Sequence, residues 1–214
     1  MPKFSAALGW LAQDCLLCGA TSGDRAICVR CEEGLPALEC AERRTHEPHF
    51  DEVIAAFDYA FPVDRLIQRF KYAADLAAGR WLAMRLAARV RALERPQLLV
   101  APALGAARLR TRGFNQALEI AKVVGGELGV RVALRGIEKV RETPPQHGLG
   151  RRERRANLRA AFRCGLALDG EHVAIVDDVI TTGATAGALA AELKAAGAGR
   201  VSVWALARTP DPAG

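Results

Sequence analysis

Residues 172–193 read HVAIVDDVITTGATAGALAAEL, and the reading of this stretch decides the fold. Val173 to Val176 is a continuous apolar run with no polar alternation. That is the pattern of a strand covered on both faces, as the central strands of parallel sheets are. Asp177 and Asp178 follow side by side at its carboxyl end, the end at which open α/β sheets bind ligands. The next residues, ITTGATA, read as a loop in which Gly183 can take a positive φ and Thr182 or Thr185 can cap the helix that begins nearby.

A loop of this kind aims several backbone N–H groups and a helix N-terminus at one point, and the threonine hydroxyls add donors, so a phosphate dianion suits it. The two carboxylates reject an anion. A ligand with a phosphate at one end and a diol at the other satisfies both. Thr181, Thr182, Gly183, Ala184 and Thr185 would surround the phosphate. Asp177 and Asp178 would accept hydrogen bonds from sugar hydroxyls or hold them through Mg2+. A ribose 5-phosphate has that shape. The bland alternative is an N-capped helix after a strand, with incidental carboxylates.

Around this stretch the chain alternates strands and helices. Strand-like apolar runs lie at Val53–Tyr59, Leu98–Leu104, Val130–Val140, His172–Ile180 and Val201–Ala207. Helical patterns lie at Val63–Arg95, interrupted at Gly79, at Asn115–Leu128, and at Thr185–Ala196, closed by Gly197. The order predicts an α/β domain over residues 50–214, with a parallel sheet flanked by helices, preceded by a small segment over residues 1–45. No internal repeat and no low-complexity tract interrupts it.

The 214 residues are half hydrophobic, enough for one domain with a sizeable core plus an appendage. Thirty Lys and Arg against 24 Asp and Glu leave a net charge of +6, which favours anionic partners without choosing among phosphate esters, nucleic acid and membrane surfaces. No apolar run approaches the ~18 to 20 residues of a membrane span, and the expected location is the cytoplasm.

Five of the six cysteines fall within residues 15–40. Cys15 and Cys18, then Cys28 and Cys31, form two C-x2-C units separated by nine residues, a spacing that can set four thiolates around one Zn2+. A disulfide pair or chance clustering are the alternatives. A closed four-cysteine shell leaves no open coordination position, so the metal would be structural, contributing on the order of 10 kcal/mol to folding a short segment, and a zinc-dependent hydrolase is excluded on ligand count. Cys40 has no second C-x2-C beside it, although His46 and His49 are near enough in sequence to be considered with it for a second metal. Cys164 stands alone and reads as a small apolar side chain.

VDDVITTGAT, Val176 to Thr185, resembles the phosphoribosyl pyrophosphate (PRPP) motif of type I phosphoribosyltransferases. Together with the two C-x2-C units, FKY (Phe70–Tyr72), PALGAARLRTRGFNQ (Pro102–Gln116) and QHGLGRRERRANLRAAF (Gln146–Phe162), it makes nearly the whole chain similar to the ComF family of competence-associated, phosphoribosyltransferase-like proteins. Members often carry a longer cysteine-rich head with further C-x2-C units. Cys40 lacks such a partner, and one zinc ribbon is retained here.

The resemblance implies a type I phosphoribosyltransferase-like fold with a zinc ribbon. It also implies binding of PRPP with Mg2+ and transfer of the phosphoribosyl group to an acceptor that the sequence does not identify. RLRTRGFNQ follows a predicted strand, so Arg108, Arg110 and Arg112 would reach the ligand crevice and grip pyrophosphate, with Gly113 permitting close backbone approach. Type I enzymes close a mobile loop over the site. TPPQHGLGRRERRANLR is the counterpart, with Gln146, Arg151, Arg154 and Arg155 as its candidate contacts, although RRERR reads equally as a solvated helix face and His147 as incidental. A second class stays open: a non-catalytic competence or DNA-uptake factor, whose ribbon and basic stretches bind a partner protein or single-stranded DNA. Against direct DNA binding, aromatics are only 6% of the chain and none is interleaved in RRERR.

Overall fold

The computed structural model describes residues 13–38, 42–44, 49–140 and 161–209. Its elements in chain order are β1 (Gln13–Asp14), β2 (Thr21–Gly23), α1 (Val29–Glu33), β3 (Glu42–Arg44), β4 (Glu52–Asp58), α2 (Val63–Tyr72), α3 (Leu76–Val90), β5 (Leu98–Val100), α4 (Ala106–Arg112), α5 (Gln116–Leu128), β6 (Arg131–Val132), β7 (Ile137–Lys139), β8 (Phe162–Cys164), β9 (His172–Ile180), α6 (Ala184–Ala195) and β10 (Arg200–Arg208). The central sheet has the order β3-β4-β10-β9-β5-β6. Five of its strands run parallel, and β3 pairs antiparallel with β4 at one edge.

The apolar run in β9 shows why the sheet is covered on both sides. Successive strand residues point to opposite faces. Ala174 and Val176 join one core with Leu66 and Phe70 of α2, Leu82 and Leu86 of α3 and Ile120 of α5. Val173 and Ile175 join a second core with Leu189 and Leu193 of α6. All four strand residues are fully buried. The same alternation carries Asp177 toward the α6 side and Asp178 toward the α2 side.

Several expected boundaries move. The helix foreseen over Val63–Arg95 is two helices, and the break falls at residues 73–75 rather than at Gly79. Ala74 takes φ +51° there, and Asp75 caps α3 by accepting from the Ala78 N–H at 3.0 Å. Gly79 lies inside α3, where an added Cβ would stand 2.4 Å from the Phe70 ring. This glycine is needed for close approach of α2 and does not break the helix. The run Leu98–Leu104 is a strand only to Val100. Val130–Val140 divides into β6 of the main sheet and β7, which pairs antiparallel with β8 in a separate ribbon.

The cysteine segment packs onto this domain. β1 and β2 form a short antiparallel hairpin around the first C-x2-C, and α1 starts within the second. Cys15 and Ile27 are buried in the same core as α2 and α3. Arg69 of α2 donates to the Leu16 carbonyl and pairs with Asp75 at 2.6 Å, and Arg85 of α3 pairs with Glu32. No described helix is long and apolar enough to cross a membrane.

Candidate functional site

β9 is longer than its neighbour. β5 pairs with it only as far as Val100 opposite Ile175, whereas β10 accompanies it to Ile180. Beyond Ile175 one side of β9 opens into a cleft of about 310 Å³. Asp177 and Asp178 lie at its floor, and Thr181, Thr182, Ala184 and Thr185 line one end. The opposite wall is built by the turn after β5 and by α4 and α5, and includes Arg108, Arg112 and Gln116. Lys71, from the end of α2, closes a third side, and Lys139 and Phe162 of the β7–β8 ribbon also reach the cleft.

The threonine loop behaves largely as its residues require. Gly183 takes φ +71° and is the N-cap of α6. Neither threonine caps the helix in the expected way: no side chain caps α6, and Thr182 Oγ1 instead accepts from the Ala184 N–H at 3.4 Å. The N–H groups of Thr185 and Ala186 lack intrahelical acceptors, and the helix starts at the cleft end lined by Ala184 and Thr185. That end suits an anion.

The arginine segment forms a helix, α4. Arg108 and Arg112, four residues apart, share the face that lines the cleft. Arg110 lies off that face, is exposed, and does not line it. Gly113 ends the helix in the left-handed conformation at φ +77°, and an added Cβ there would meet no protein atom within 4 Å. Its positive φ is what the helix end demands. Asn115 caps α5 through Leu118 N–H and donates to the Pro102 carbonyl at 2.9 Å, which pins the turn after β5.

Sequence reasoning missed two residues of the site, Lys71 and Gln116. Lys71 Nζ is 2.8 Å from Asp178 Oδ1, and the two side chains are only 16% and 14% exposed. Gln116 accepts from Arg112 Nη1 at 3.0 Å through Oε1, while its buried Nε2 has no partner among the described residues. Each residue of the FKY motif makes a contact around the cleft. Phe70 packs against Phe114 with the rings tilted by 51° and centroids 5.5 Å apart, Lys71 pairs with Asp178, and the Tyr72 ring lies under the Arg112 guanidinium at 5.3 Å.

The two carboxylates differ. Asp177 is half-buried at the cleft floor. Desolvation first, and then the neighbouring Asp178 charge, push its carboxyl from 3.8 up to about 7, against the opposing pull of the Asp178 N–H, Lys71 and Arg112. The Asp178 N–H donates to Asp177 Oδ1 at 2.8 Å. One carboxyl is thus reluctant to ionise, and the other is held by an ammonium.

The four cysteines come together at one side of α2. Four sulfurs each ~2.3 Å from one zinc stand about 3.8 Å apart in a tetrahedron. Cys18 Sγ and Cys28 Sγ are 3.8 Å apart, and the sulfurs of Cys15, Cys18, Cys28 and Cys31 all lie within 4.8 Å of one another. Burial alone would raise the Cys15 thiol, but backbone N–H groups of Cys18, Cys28 and Leu17 outweigh it and bring the group down to about 6, whereas hydrogen bonds to the Cys18 and Cys28 side chains push Cys31 up to about 12. Amides aimed at a sulfur favour thiolate, the form that binds metal. The cluster can therefore hold zinc. His49 joins no such group among the described residues. Cys40 and His46 lie outside the described residues, as do Gln146, His147, Arg151, Arg154 and Arg155.

No family model matches the sequence. Similarity to individual proteins is extensive. The chain is 34% identical over 206 residues to DNA utilization protein YhgH of Escherichia coli K12, covering 91% of this chain and 90% of that one. It is 33% identical over 181 residues to Competence protein F of Haemophilus influenzae Rd, covering 80% and 79%. Among solved structures, a purine phosphoribosyltransferase from Pyrococcus horikoshii Ot3 aligns with a TM-score of 0.41 at 21% identity, over 62% of this chain and 74% of that one. UMP synthase of Leishmania donovani aligns with a TM-score of 0.39 at 20% identity, over 66% and 29%.

Proposed function

The chain belongs to the family of Competence protein F and DNA utilization protein YhgH, and from that premise we propose that its cleft binds PRPP with Mg2+ and transfers the phosphoribosyl group to an acceptor. The observation that carries this reading is the meeting, in one cleft, of an anion-binding helix start, a pair of carboxylates and a wall of cations. The 5-phosphate suits the Thr181–Thr185 end. The ribose hydroxyls suit Asp177 and Asp178, and the pyrophosphate suits Arg108 and Arg112, whose guanidinium forks match phosphate oxygens.

In the transfer, a nucleophile forms a bond to the anomeric carbon as the bond to the pyrophosphate oxygen breaks, and pyrophosphate leaves with the electron pair. The carboxylates face the positive charge that develops on the sugar, and the arginines face the negative charge that departs. Asp177 and Asp178 would accept hydrogen bonds from the ribose hydroxyls directly, and Mg2+ would enter with the pyrophosphate. When bound, Mg2+ neutralises charge on the leaving pyrophosphate. The four-cysteine cluster holds zinc as a structural ion, and the protein acts in the cytoplasm.

Calorimetric titration of PRPP with Mg2+ into the wild type and into an Asp177→Asn, Asp178→Asn double variant tests the site. Binding is expected in the first and lost in a still-folded second, whereas no binding in the wild type would refute the reading. A second reading, a non-catalytic factor in DNA uptake, draws on the names of the relatives and on one surface. Beside the cysteine cluster a groove of about 510 Å³ has Leu16, Leu17 and Phe61 on its apolar side, with Arg30 and Arg65 on its rim, a surface suited to a partner protein or a single strand of DNA. Pyrophosphate release from PRPP across bases, amines and nucleosides separates the two, because the non-catalytic factor releases none.

A further inference from the structure

Two adjacent carboxylates in a half-buried cleft ordinarily need a cation, and a divalent metal is the usual one. Here the protein brings its own. Lys71 Nζ stands 2.8 Å from Asp178 Oδ1, with both side chains more than four-fifths withdrawn from solvent. The ammonium is placed firmly. Its helix neighbour Phe70 is wedged against Gly79, where a Cβ would lie 2.4 Å from the ring, and packs at a tilt against Phe114. Its other neighbour, Tyr72, is covered by Arg112. Lys71 lies in the last turn of α2 and is anchored along the chain through Phe70.

We propose that Lys71 occupies the place of a divalent cation at the acidic pair, so that the ribose end of the cleft is recognised without metal and any metal requirement belongs to the pyrophosphate end. The inference rests on the ribose-phosphate reading above for its ligand, but not for the exclusion of metal. An ammonium has three N–H donors. One is spent on Asp178, and the others are available to a hydroxyl oxygen whose own hydrogen is donated to a carboxylate. Lys71 and the aspartates together thereby read a diol as donor and acceptor at once, which a bare carboxylate pair does only with a metal between. A divalent ion entering the empty cleft would have to displace the lysine or meet its charge.

The test uses the full-length, zinc-loaded protein in resin-treated buffer without chelator, so that the four-cysteine cluster keeps its metal. Mn2+ added alone is followed by electron paramagnetic resonance in the wild type, in Lys71→Met and in Lys71→Met combined with Asp178→Asn. Thiolates select zinc over manganese, so the cluster does not interfere. The wild type is expected to leave Mn2+ free, Lys71→Met to acquire a bound ion, and the double variant to lose it again. Ribose 5-phosphate is then titrated with and without Mg2+. The wild-type affinity should be indifferent to Mg2+, whereas Lys71→Met should lose roughly tenfold without the metal, the worth of one charge-assisted hydrogen bond, and recover with it. Lys71→Gln serves the same comparison if methionine disturbs folding.

Mn2+ bound by the wild type and released by Asp178→Asn, or no ion gained by either lysine variant, overturns the inference. A wild type that excludes Mn2+ but ignores ribose 5-phosphate supports the exclusion of metal and refutes the ribose reading instead.

Discussion

Asp177 should make the protein less stable as the pH rises through the neutral range, and replacing it should remove that dependence. In the folded chain burial and the Asp178 charge lift its carboxyl from 3.8 to about 7. The folded state therefore keeps a proton that the unfolded chain releases near 3.8. Stability falls as the pH climbs from about 4 to about 7, and the loss is complete above that window. At about 1.4 kcal/mol for each tenfold difference in proton affinity, the full cost is roughly 4 kcal/mol, and roughly 1–2 kcal/mol of it accrues above pH 6. Asp177→Asn preserves the acceptor for the Asp178 N–H and cannot ionise. Urea unfolding of zinc-loaded protein at pH 6.0 and 8.5, without ligand, should show the variant gaining stability over the wild type, and gaining roughly 1–2 kcal/mol more at the higher pH. An equal gain at both pH values, or a loss at both, would refute the argument that an ionisation strained by its surroundings lies at the cleft floor.

Two other outcomes follow from packing and from the cysteines. Gly79→Ala raises helix propensity by about 1 kcal/mol, yet the Cβ would stand 2.4 Å from the Phe70 ring; thermal unfolding should show a net loss of about 1–3 kcal/mol, and a stabilised variant would mean that Phe70 is not held as described. Co2+ exchanged for the native metal should give the intense visible bands of a tetrahedral four-thiolate site at one ion per chain, bleached in Cys31→Ser; weak octahedral bands would rule out the four-sulfur shell.

The central strand was readable because its apolar run has only one explanation in a chain of this kind, a sheet covered twice over. Its carboxylates, the positive φ at Gly183 and the meeting of Cys15, Cys18, Cys28 and Cys31 were legible from residue type and spacing. Lys71 was not. Nothing local marks a lysine at a helix end as the counter-ion of an aspartate on a distant strand, and only the packing of α2 against α3 brings them together. Gly79 was misjudged for a related reason: a glycine inside a helix reads as a weakness until the ring that needs its missing Cβ is seen. The actual break at Ala74 carries no glycine or proline, so no punctuation announces it. α4 was missed although Gly113, following a run of helix-compatible residues, was a fair stop signal; the arginines drew attention to charge instead of periodicity.

Helix α2 has a tether on each side. Arg69 holds the carbonyl of Leu16 within the first cysteine turn, and two residues later Lys71 holds Asp178 at the cleft floor. Ile27 and Cys15 are buried against the same helices. A lineage that discarded its cysteines would thus have to redraw the outer surface of α2 in the same step, and any redrawing that turned the helix would carry Lys71 away from the strand it serves. The cysteine turns and the cleft are bound to a shared history of substitution: drift in one constrains which changes the other survives.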